Sequence, residues 1–252
     1  MITGAKYNML YPTLVARVYE EEKQKGAKDC EKATKTRLHQ MFGAYVQGNT
    51  HKKAAALLES CNSGSSENIL SLHASTKERL AHYIQFYAFI TDHITNIETI
   101  MDLGCGFNPF ALHYLPAIKA YYAYDIDTRT RDLLNRFFML QNLPQTAYCA
   151  DLVTETPTEK ADLTLLCKLI PVLEAQQAGR GFELARQLDT KFLVITYPTK
   201  SLGGCDKGMS KNYAAQFEKA YASGALSGFV LLASSQIGNE LVYILKSASR
   251  LP

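Results

Sequence analysis

The chain has 252 residues, of which 47% are hydrophobic and 20% charged, and its formal net charge is +3. This length and composition predict a globular protein with one substantial core, or one core and a small accessory domain. The sequence lacks an uncharged apolar run of about 18 residues and a basic segment leading into an apolar one near its start, so neither a membrane-spanning helix nor a signal peptide is indicated. We expect a cytoplasmic protein.

The six cysteines and six histidines show no metal-ligand spacing. The cysteines form no C-x-x-C pair, and three of them lie in or beside predicted strands. We therefore expect buried free thiols and no metal site.

Positive charge is concentrated towards the N-terminus. The first 80 residues contain 12 Lys and Arg against 8 Asp and Glu, whereas the remaining residues contain 15 against 16. This asymmetry favours an anionic macromolecular partner for the N-terminal region.

Four helices are predicted before the first strand. Apolar spacing indicates helices from Pro12 to about residue 25, over 29–45 and over 50–61, which together would form a small bundle with exposed basic side chains. A longer amphipathic helix, with Ser75 or Thr76 as its N-cap, is predicted to continue to about residue 90 and to pack on a sheet.

Strands and helices alternate in the rest of the chain. Strands are predicted at 99–103, 121–127, 146–152, 161–169 and 191–196, helices at 129–142, 172–188 and 212–222, and a final hairpin of strands at 229–237 and 239–246. The apolar runs and the alternation predict an α/β fold with a parallel sheet that ends in an antiparallel hairpin.

A Gly-x-Gly turn, Gly104 and Gly106, follows the first predicted strand. Asn108 is a candidate N-cap and Pro109 suits the first position of the next helix. Glycine allows a sharp bend and close approach of a ligand, and open α/β sheets bind nucleotides at such turns. Because Pro109 stands where a dinucleotide fingerprint has its third glycine, an NAD oxidoreductase is disfavoured.

Acidic residues after the next two strands indicate which nucleotide derivative binds. Asp125 can accept hydrogen bonds from both hydroxyls of a ribose, and Asp151-Leu152 is expected near the base. With the glycine turn, this is the pattern of an S-adenosylmethionine (AdoMet) site. His73 and Arg79 could reach the methionine end, Arg79 by pairing with its carboxylate.

Several motifs in combination indicate one family. They are LHASTKERL (72–80), CGFNP (105–109), KLIPVLE (168–174) with QAG (177–179), YPTKSLGG (197–204), KGM (207–209), RLH (37–39) and GAYV (43–46). On these motifs the chain resembles, over nearly its whole length, the aminoglycoside-resistance 16S rRNA (guanine(1405)-N7)-methyltransferases of the Arm/Rmt type.

The resemblance implies a fold, an activity and a partner. The fold would be a class I (Rossmann-like) AdoMet-dependent methyltransferase sheet with a small N-terminal helical bundle, the bundle (1–68) binding rRNA and the rest (69–252) being the methyltransferase domain. The substrate would be 16S rRNA in the assembled small (30S) ribosomal subunit, and the enzyme is expected to be a monomer.

The resemblance also assigns residues to the site. Those implied to bind the cofactor are Tyr45, His73, Ala74, Ser75, Arg79, Gly104, Asp125, Asp151, Leu152, Leu169 and Gln177. Lys168 and Glu174 would lie at the target nucleotide as catalytic residues. The candidates for RNA binding are Lys6, Arg37, Lys52, Lys53, Lys200, Lys207 and Met209, the last three belonging to a glycine-rich loop that could clamp a base extruded from the RNA.

The predicted chemistry needs no general base. Guanine N7 carries a lone pair and no proton, so alignment of the two reactants is the main catalytic requirement. Three alternatives remain open: an adenine-N1 16S rRNA methyltransferase, a small-molecule methyltransferase, and an RNA-binding protein without activity. The basic, glycine-rich loop argues against a small-molecule enzyme, which normally needs an apolar lid.

Overall fold

The computed structural model describes residues 7–43, 49–60, 65–200 and 208–248. Within these ranges seven strands form one sheet: β1 (Thr99–Leu103), β2 (Ala120–Asp125), β3 (Ala147–Cys149), β4 (Ala161–Cys167), β5 (Thr190–Pro198), β6 (Phe229–Ile237) and β7 (Glu240–Ser247). The same ranges contain ten α-helices: α1 (Pro12–Gln24), α2 (Cys30–Phe42), α3 (Thr50–Glu59), α4 (Ser65–Leu70), α5 (Ala74–Arg79), α6 (Tyr83–His93), α7 (Thr128–Leu140), α8 (Leu169–Glu174), α9 (Arg180–Gln187) and α10 (Met209–Ala222).

The strand order is β3-β2-β1-β4-β5-β7-β6. Strands β1 to β5 are parallel, and β7 lies antiparallel between β5 and β6. The apolar strand β4 is buried over nearly its whole length because helices cover both faces of the sheet. The order changes direction between β1 and β4, which is where open parallel sheets bind ligands. The predicted class I sheet with its hairpin is confirmed.

The N-terminal region is helical, as predicted. Helices α1 and α2 pack as a pair around the buried side chains of Leu14, Val18 and Leu38. The segment before α1 is attached to the end of β2, since the Tyr11 N–H donates to the Ile126 carbonyl oxygen at 2.8 Å. This pair therefore lies against the edge of the sheet that carries the carboxyl ends of the strands.

Helix α3 has a different position from α1 and α2. It packs against α4 and α7, and its Ala54 and Leu58 belong to the same apolar core as residues of the sheet. The N-terminal helices thus contact the sheet domain at two separate places.

Two predicted helix caps are wrong. The N-cap of α5 is His73 rather than Ser75 or Thr76. The helix after the glycine turn is a 3-10 helix whose N-cap is Phe107, and the side chain of Asn108 is buried instead of capping. The Asn108 side chain donates to Asp102 instead, and the Thr76 hydroxyl donates to the Leu70 carbonyl oxygen.

The long helix expected up to residue 90 is divided. A 3-10 turn at Leu80–His82 separates α5 from α6. Arg79, the last residue of α5, points into the interior and binds Glu240, 161 positions later. A contact at that separation leaves no local signal, so helical periodicity predicted one continuous helix.

The helix expected over 172–188 is also divided. Helix α8 begins earlier, at Leu169, and ends at Glu174, and α9 begins after Gly179, which has a φ of +82°. Since few residues other than glycine adopt this left-handed conformation, Gly179 permits the reversal between the two helices.

Candidate active site

A cavity lies at the carboxyl ends of β1, β2 and β4. Gly104 and Gly106 after β1, Asp125 at the end of β2 and Lys168 after β4 line it. Leu14 of α1 and Phe42 of α2 line it as well. The cavity is therefore enclosed between the sheet and the N-terminal helix pair.

Positive φ angles favour glycine at both positions of the glycine turn. Gly104 and Gly106 have φ angles of +66° and +51°. A Cβ atom on Gly104 would lie 2.9 Å from Leu169 Cδ1, and one on Gly106 would lie 2.8 Å from His73 Cε1. The turn thus brings backbone, Leu169 and His73 into close contact beside the cavity.

Asp125 holds this turn from the end of β2. Its Oδ2 accepts the Gly106 N–H and its Oδ1 accepts the Asp127 N–H, both at 2.9 Å. Burial raises the pKa of Asp125 to about 6, although the two backbone hydrogen bonds act in the opposite direction. Each carboxylate oxygen can accept a second hydrogen bond. A carboxylate so placed fits the two hydroxyls of a ribose, the contact predicted for this residue.

Asp102 is a buried acid beside the turn that sequence reasoning did not assign to the site. Its Oδ2 accepts hydrogen bonds from Asn108 Nδ2 at 2.8 Å and from the Tyr121 hydroxyl at 2.7 Å. Burial raises the pKa of Asp102 to about 6 despite these two bonds. The available signal was its position near the end of an apolar strand, two residues before Gly104.

Arg79 lines the cavity but is already engaged by protein groups. Its Nε and Nη2 donate to the two carboxylate oxygens of Glu240, at 3.0 and 2.7 Å, and its Nη1 donates to Asn108 Oδ1 at 3.0 Å. These contacts use three of the five N–H donors of the guanidinium. The expected pairing with a cofactor carboxylate would have to use the other two.

Glu240 was missed by sequence reasoning and connects two cations at the cavity. It is 4% exposed. Besides Arg79, it contacts Lys168 Nζ at 3.3 Å, and the Thr196 hydroxyl donates to it at 2.8 Å. Burial disfavours its ionisation, yet Arg79 and Lys168 hold the pKa of Glu240 below its ordinary value. One indication in the sequence of a buried role for Glu240 was its position at the start of a mostly apolar strand.

Lys168, predicted as a catalytic residue, lines the cavity. Its Nζ also donates to Glu78 Oε2 at 2.7 Å, so two carboxylates balance its charge. Its φ is +57°, an unusual value for a residue with a side chain. The turn between β4 and α8 thus directs this ammonium group towards the site at some cost in backbone energy.

Asp151, predicted to hold the adenine, is 1% exposed and lines the cavity with Leu152. Arg17 of α1 donates to both of its oxygens, from Nε to Oδ2 at 2.6 Å and from Nη2 to Oδ1 at 3.2 Å. The same guanidinium donates to Gln176 and Glu21. Arg17 was missed because an arginine on an amphipathic helix gives no sign of a partner 134 positions away.

Most of the predicted cofactor-binding residues that the structure describes line this cavity. They are His73, Ser75, Arg79, Gly104, Asp125, Asp151, Leu152 and Leu169. Ala74 and Gln177 are not among the described residues that line it. Gln177 is exposed beyond α8, and its neighbour Gln176 faces the cavity instead.

Glu174 caps the start of α9. Its two carboxylate oxygens accept backbone N–H groups at the start of α9, at 2.7 and 2.9 Å, and it does not belong to the described lining of the cavity. Both oxygens thus hold the reversal between α8 and α9, and the catalytic role of Glu174 stays a prediction.

The structure describes five of the seven predicted RNA-binding residues. Lys52 and Lys53 on α3 and Lys200 after β5 are exposed, and Met209, the first residue of α10, is half-buried. Arg37 instead forms ion pairs with two glutamates of α1, at 2.5 and 3.0 Å. Tyr45, Lys6 and Lys207 lie outside the described residues.

The described part of the chain contains four of the six cysteines. Cys30, Cys105, Cys149 and Cys167 are free thiols, but only Cys105 is fully buried. Over the same ranges, no group of three or more His, Cys, Asp or Glu side chains could hold a metal ion. None of the helices described here has the length and apolarity needed to cross a membrane.

Known proteins are similar to this chain in both sequence and fold. A family model described as "Ribosomal RNA methyltransferase (FmrO)" matches residues 3–244. The chain is 38% identical to the 16S rRNA (guanine(1405)-N(7))-methyltransferase of Serratia marcescens, over 98% of this chain and 95% of that protein. The crystal structure of the 16S rRNA methyltransferase RmtF in complex with S-adenosyl-L-homocysteine superposes with a TM-score of 0.85 at 35% identity, covering 96% of this chain and 93% of that one. The 16S rRNA methylase RmtB gives a TM-score of 0.83 at 34% identity, with coverages of 97% and 94%.

Proposed function

The chain belongs to the ribosomal RNA methyltransferase (FmrO) family, and we propose that it transfers a methyl group from AdoMet to N7 of guanine 1405 in 16S rRNA, conferring aminoglycoside resistance. The observation that carries the proposal is the position of Asp125 beside the Gly104–Gly106 turn, in a cavity at the point where the strand order changes direction. The nucleotide and the atom come from the names of the related enzymes.

The residues that line the cavity suggest an orientation for the cofactor. Asp125 would accept hydrogen bonds from the ribose hydroxyls, and Asp151 would accept one from the amino group of the adenine. His73, Ser75 and Arg79 would surround the methionine end. When bound, the cofactor supplies an electrophilic methyl group on a sulfonium centre.

The protein itself must align the reactants and exclude water. No proton has to leave guanine N7, so the absence of an obvious general base from the predicted set is consistent with this reaction. Lys168 would act as a positioning group at the target nucleotide, since it lines the cavity and its ammonium group is held by Glu78 and Glu240.

The assembled small ribosomal subunit is the proposed form of the substrate. Residues 1–68 would bind rRNA and residues 69–252 would carry out the transfer. Lys52 and Lys53 are exposed and therefore available for phosphate contacts, whereas Arg37 is engaged by glutamates of α1. The target guanine would have to leave its stack to reach the cavity. We place the enzyme in the cytoplasm, acting as a monomer and without a metal.

The effect on the drug follows from charge. Methylation at N7 removes a hydrogen-bond acceptor and leaves a fixed positive charge on the guanine. A polycationic aminoglycoside should therefore be blocked and repelled at that position. Unchanged drug affinity for methylated subunits would contradict this part of the proposal.

The decisive experiment measures methyl transfer from radiolabelled AdoMet to intact small subunits of a susceptible bacterium and, in parallel, to free 16S rRNA. Chemical cleavage at N7-methylguanine then locates the modified nucleotide. We expect one labelled guanine, at 1405, in assembled subunits only, and no label with the Asp125→Ala variant.

Other results would select the alternatives. Label on an adenine would indicate an adenine-N1 enzyme. Absence of label from both RNAs, with AdoMet still bound, would favour a small-molecule methyltransferase.

A further inference from the structure

The guanidinium of Arg17 lies between α1 and the proposed cofactor cavity. Its side chain is 12% exposed. Four contacts engage it: two with Asp151, one from Nη2 to Gln176 Oε1 at 2.9 Å, and one from Nη1 to Glu21 Oε1 at 2.7 Å. Asp151 and Gln176 both line the cavity, so a residue of the N-terminal region is bonded directly to two of its walls.

The hydrogen bonds of Asp151 leave it one acceptor position. A carboxylate has about four such positions, two on each oxygen. Arg17 occupies one on each oxygen, and the Val153 N–H, at 3.2 Å, occupies the second on Oδ1. The remaining position is on Oδ2. It can accept a hydrogen bond from an amino group such as that of adenine, but it cannot pair with the carbonyl oxygen that hypoxanthine carries at the same place.

Arg17 controls how this acceptor is presented. A fork of two N–H donors fixes the plane of a carboxylate. Without Arg17, the Asp151 carboxylate would lose the two N–H donors that fix its orientation. Glu21, which holds the other side of the guanidinium, also binds Arg37 of α2, so the helix pair supports this arrangement.

We propose that Arg17 is a positioning residue for the adenine of the cofactor: by fixing Asp151 and Gln176 it makes α1 part of the cofactor site and sets the preference for adenine. The inference rests on the proposed function, which places the adenine at Asp151. It goes further because it assigns base selectivity to a residue of the N-terminal helices.

The test compares two ligands by isothermal titration calorimetry: S-adenosylhomocysteine and S-inosylhomocysteine, in which hypoxanthine replaces adenine. The proteins are the wild type, Arg17→Met, Arg17→Lys and a control, Arg136→Ala. Arg136 is a matched control because its ion pair with Glu59, at 2.9 Å, also links the N-terminal helices to the sheet domain, but away from the cavity.

We expect the wild type to prefer the adenine ligand. Arg17→Met should weaken S-adenosylhomocysteine binding by about tenfold or more, as when a hydrogen bond to a charged group is lost, and should narrow the preference over S-inosylhomocysteine by a similar factor. Arg17→Lys keeps the positive charge but lacks the two parallel N–H donors of the guanidinium. It should therefore reduce the preference for S-adenosylhomocysteine by roughly threefold. Arg136→Ala should leave both affinities unchanged.

Two results would overturn the proposal. One is a folded Arg17→Met protein that binds S-adenosylhomocysteine as the wild type does. The other is equal weakening of both ligands with the preference unchanged, which would make Arg17 a packing residue only. If circular dichroism shows that Arg17→Met is unfolded, the Arg17→Lys variant provides the test. An unchanged preference of Arg17→Lys for S-adenosylhomocysteine over S-inosylhomocysteine would then overturn the proposal. Failure of the wild type itself to bind S-adenosylhomocysteine would instead refute the cofactor assignment, and the inference with it.

Discussion

Arg79 and Glu240 form a two-point ion pair in the interior, with Nε–Oε1 and Nη2–Oε2 distances of 3.0 and 2.7 Å. The two side chains are only 3% and 5% exposed. The pair joins the helix before the sheet to the hairpin that ends it, and it reaches the cavity through Arg79. Removing one partner of such a pair leaves an uncompensated buried charge, whereas removing both does not.

Glu240→Gln is therefore expected to lower the free energy of unfolding by about 3 kcal/mol. It should also weaken S-adenosylhomocysteine binding, because Arg79 loses the group that holds it. Urea denaturation and calorimetry measure the two effects. A double variant, Arg79→Met with Glu240→Leu, should recover stability but not affinity for S-adenosylhomocysteine. If Glu240→Gln alone were as stable as the wild type, the prediction would be wrong.

Cofactor affinity should depend on pH through Asp125. Burial raises the pKa of Asp125 to about 6, and protonation would replace one of its acceptor positions with an O–H donor. Binding of S-adenosylhomocysteine should be constant above pH 7 and should decrease below pH 6 by up to about tenfold per pH unit. Calorimetry between pH 5 and 8 measures this decrease. Asp125→Asn should bind weakly with a flat profile, and a wild-type profile without a decrease would exclude this titration.

Stability should respond to Asp102 in a defined direction. Burial raises the pKa of Asp102 to about 6, so between pH 4 and 6 the folded state keeps a proton that the unfolded state releases. The contribution of Asp102 to stability therefore decreases as the pH rises through this window and is constant above it.

Asp102→Asn removes this dependence while keeping an oxygen that can accept from Asn108 and Tyr121. The difference in free energy of unfolding between the variant and the wild type should grow in favour of the variant as the pH rises from 4 to 6. It should reach at most about 3 kcal/mol at pH 7. Urea denaturation at several pH values measures the difference. A difference that does not change between pH 4 and 7 would show that Asp102 does not titrate in this range.

The double variant Lys52→Ala with Lys53→Ala should weaken binding to small subunits and leave S-adenosylhomocysteine affinity unchanged. If both lysines contact phosphates, the slope of log affinity against log salt should decrease in magnitude by about 2. The matched control is the double variant Lys119→Ala with Lys160→Ala. It removes two exposed lysines at the edge of the sheet where β2 and β4 begin, opposite the cavity. Equal weakening by both pairs would indicate a non-specific effect of charge, and loss of cofactor binding in the first pair would contradict the proposed division of roles.

Local patterns in the sequence were sufficient for the sheet and for part of the site. Buried strands show as apolar runs, and the Gly104–Gly106 turn shows as glycines directly after one of them. Asp125 was identifiable because it ends the neighbouring strand, and the ends of parallel strands lie at the same edge of a sheet. These predictions needed only residues close together in the chain.

Tertiary structure alone decided the partners of the buried charges. Arg17 finds Asp151 134 positions away, and Arg79 finds Glu240 161 positions away. The same contacts end α5 early and make α1 a wall of the cavity. Periodicity reports which face of a helix or strand is apolar, but it carries no information on which distant group will neutralise a buried charge, since that depends on the path of the whole chain.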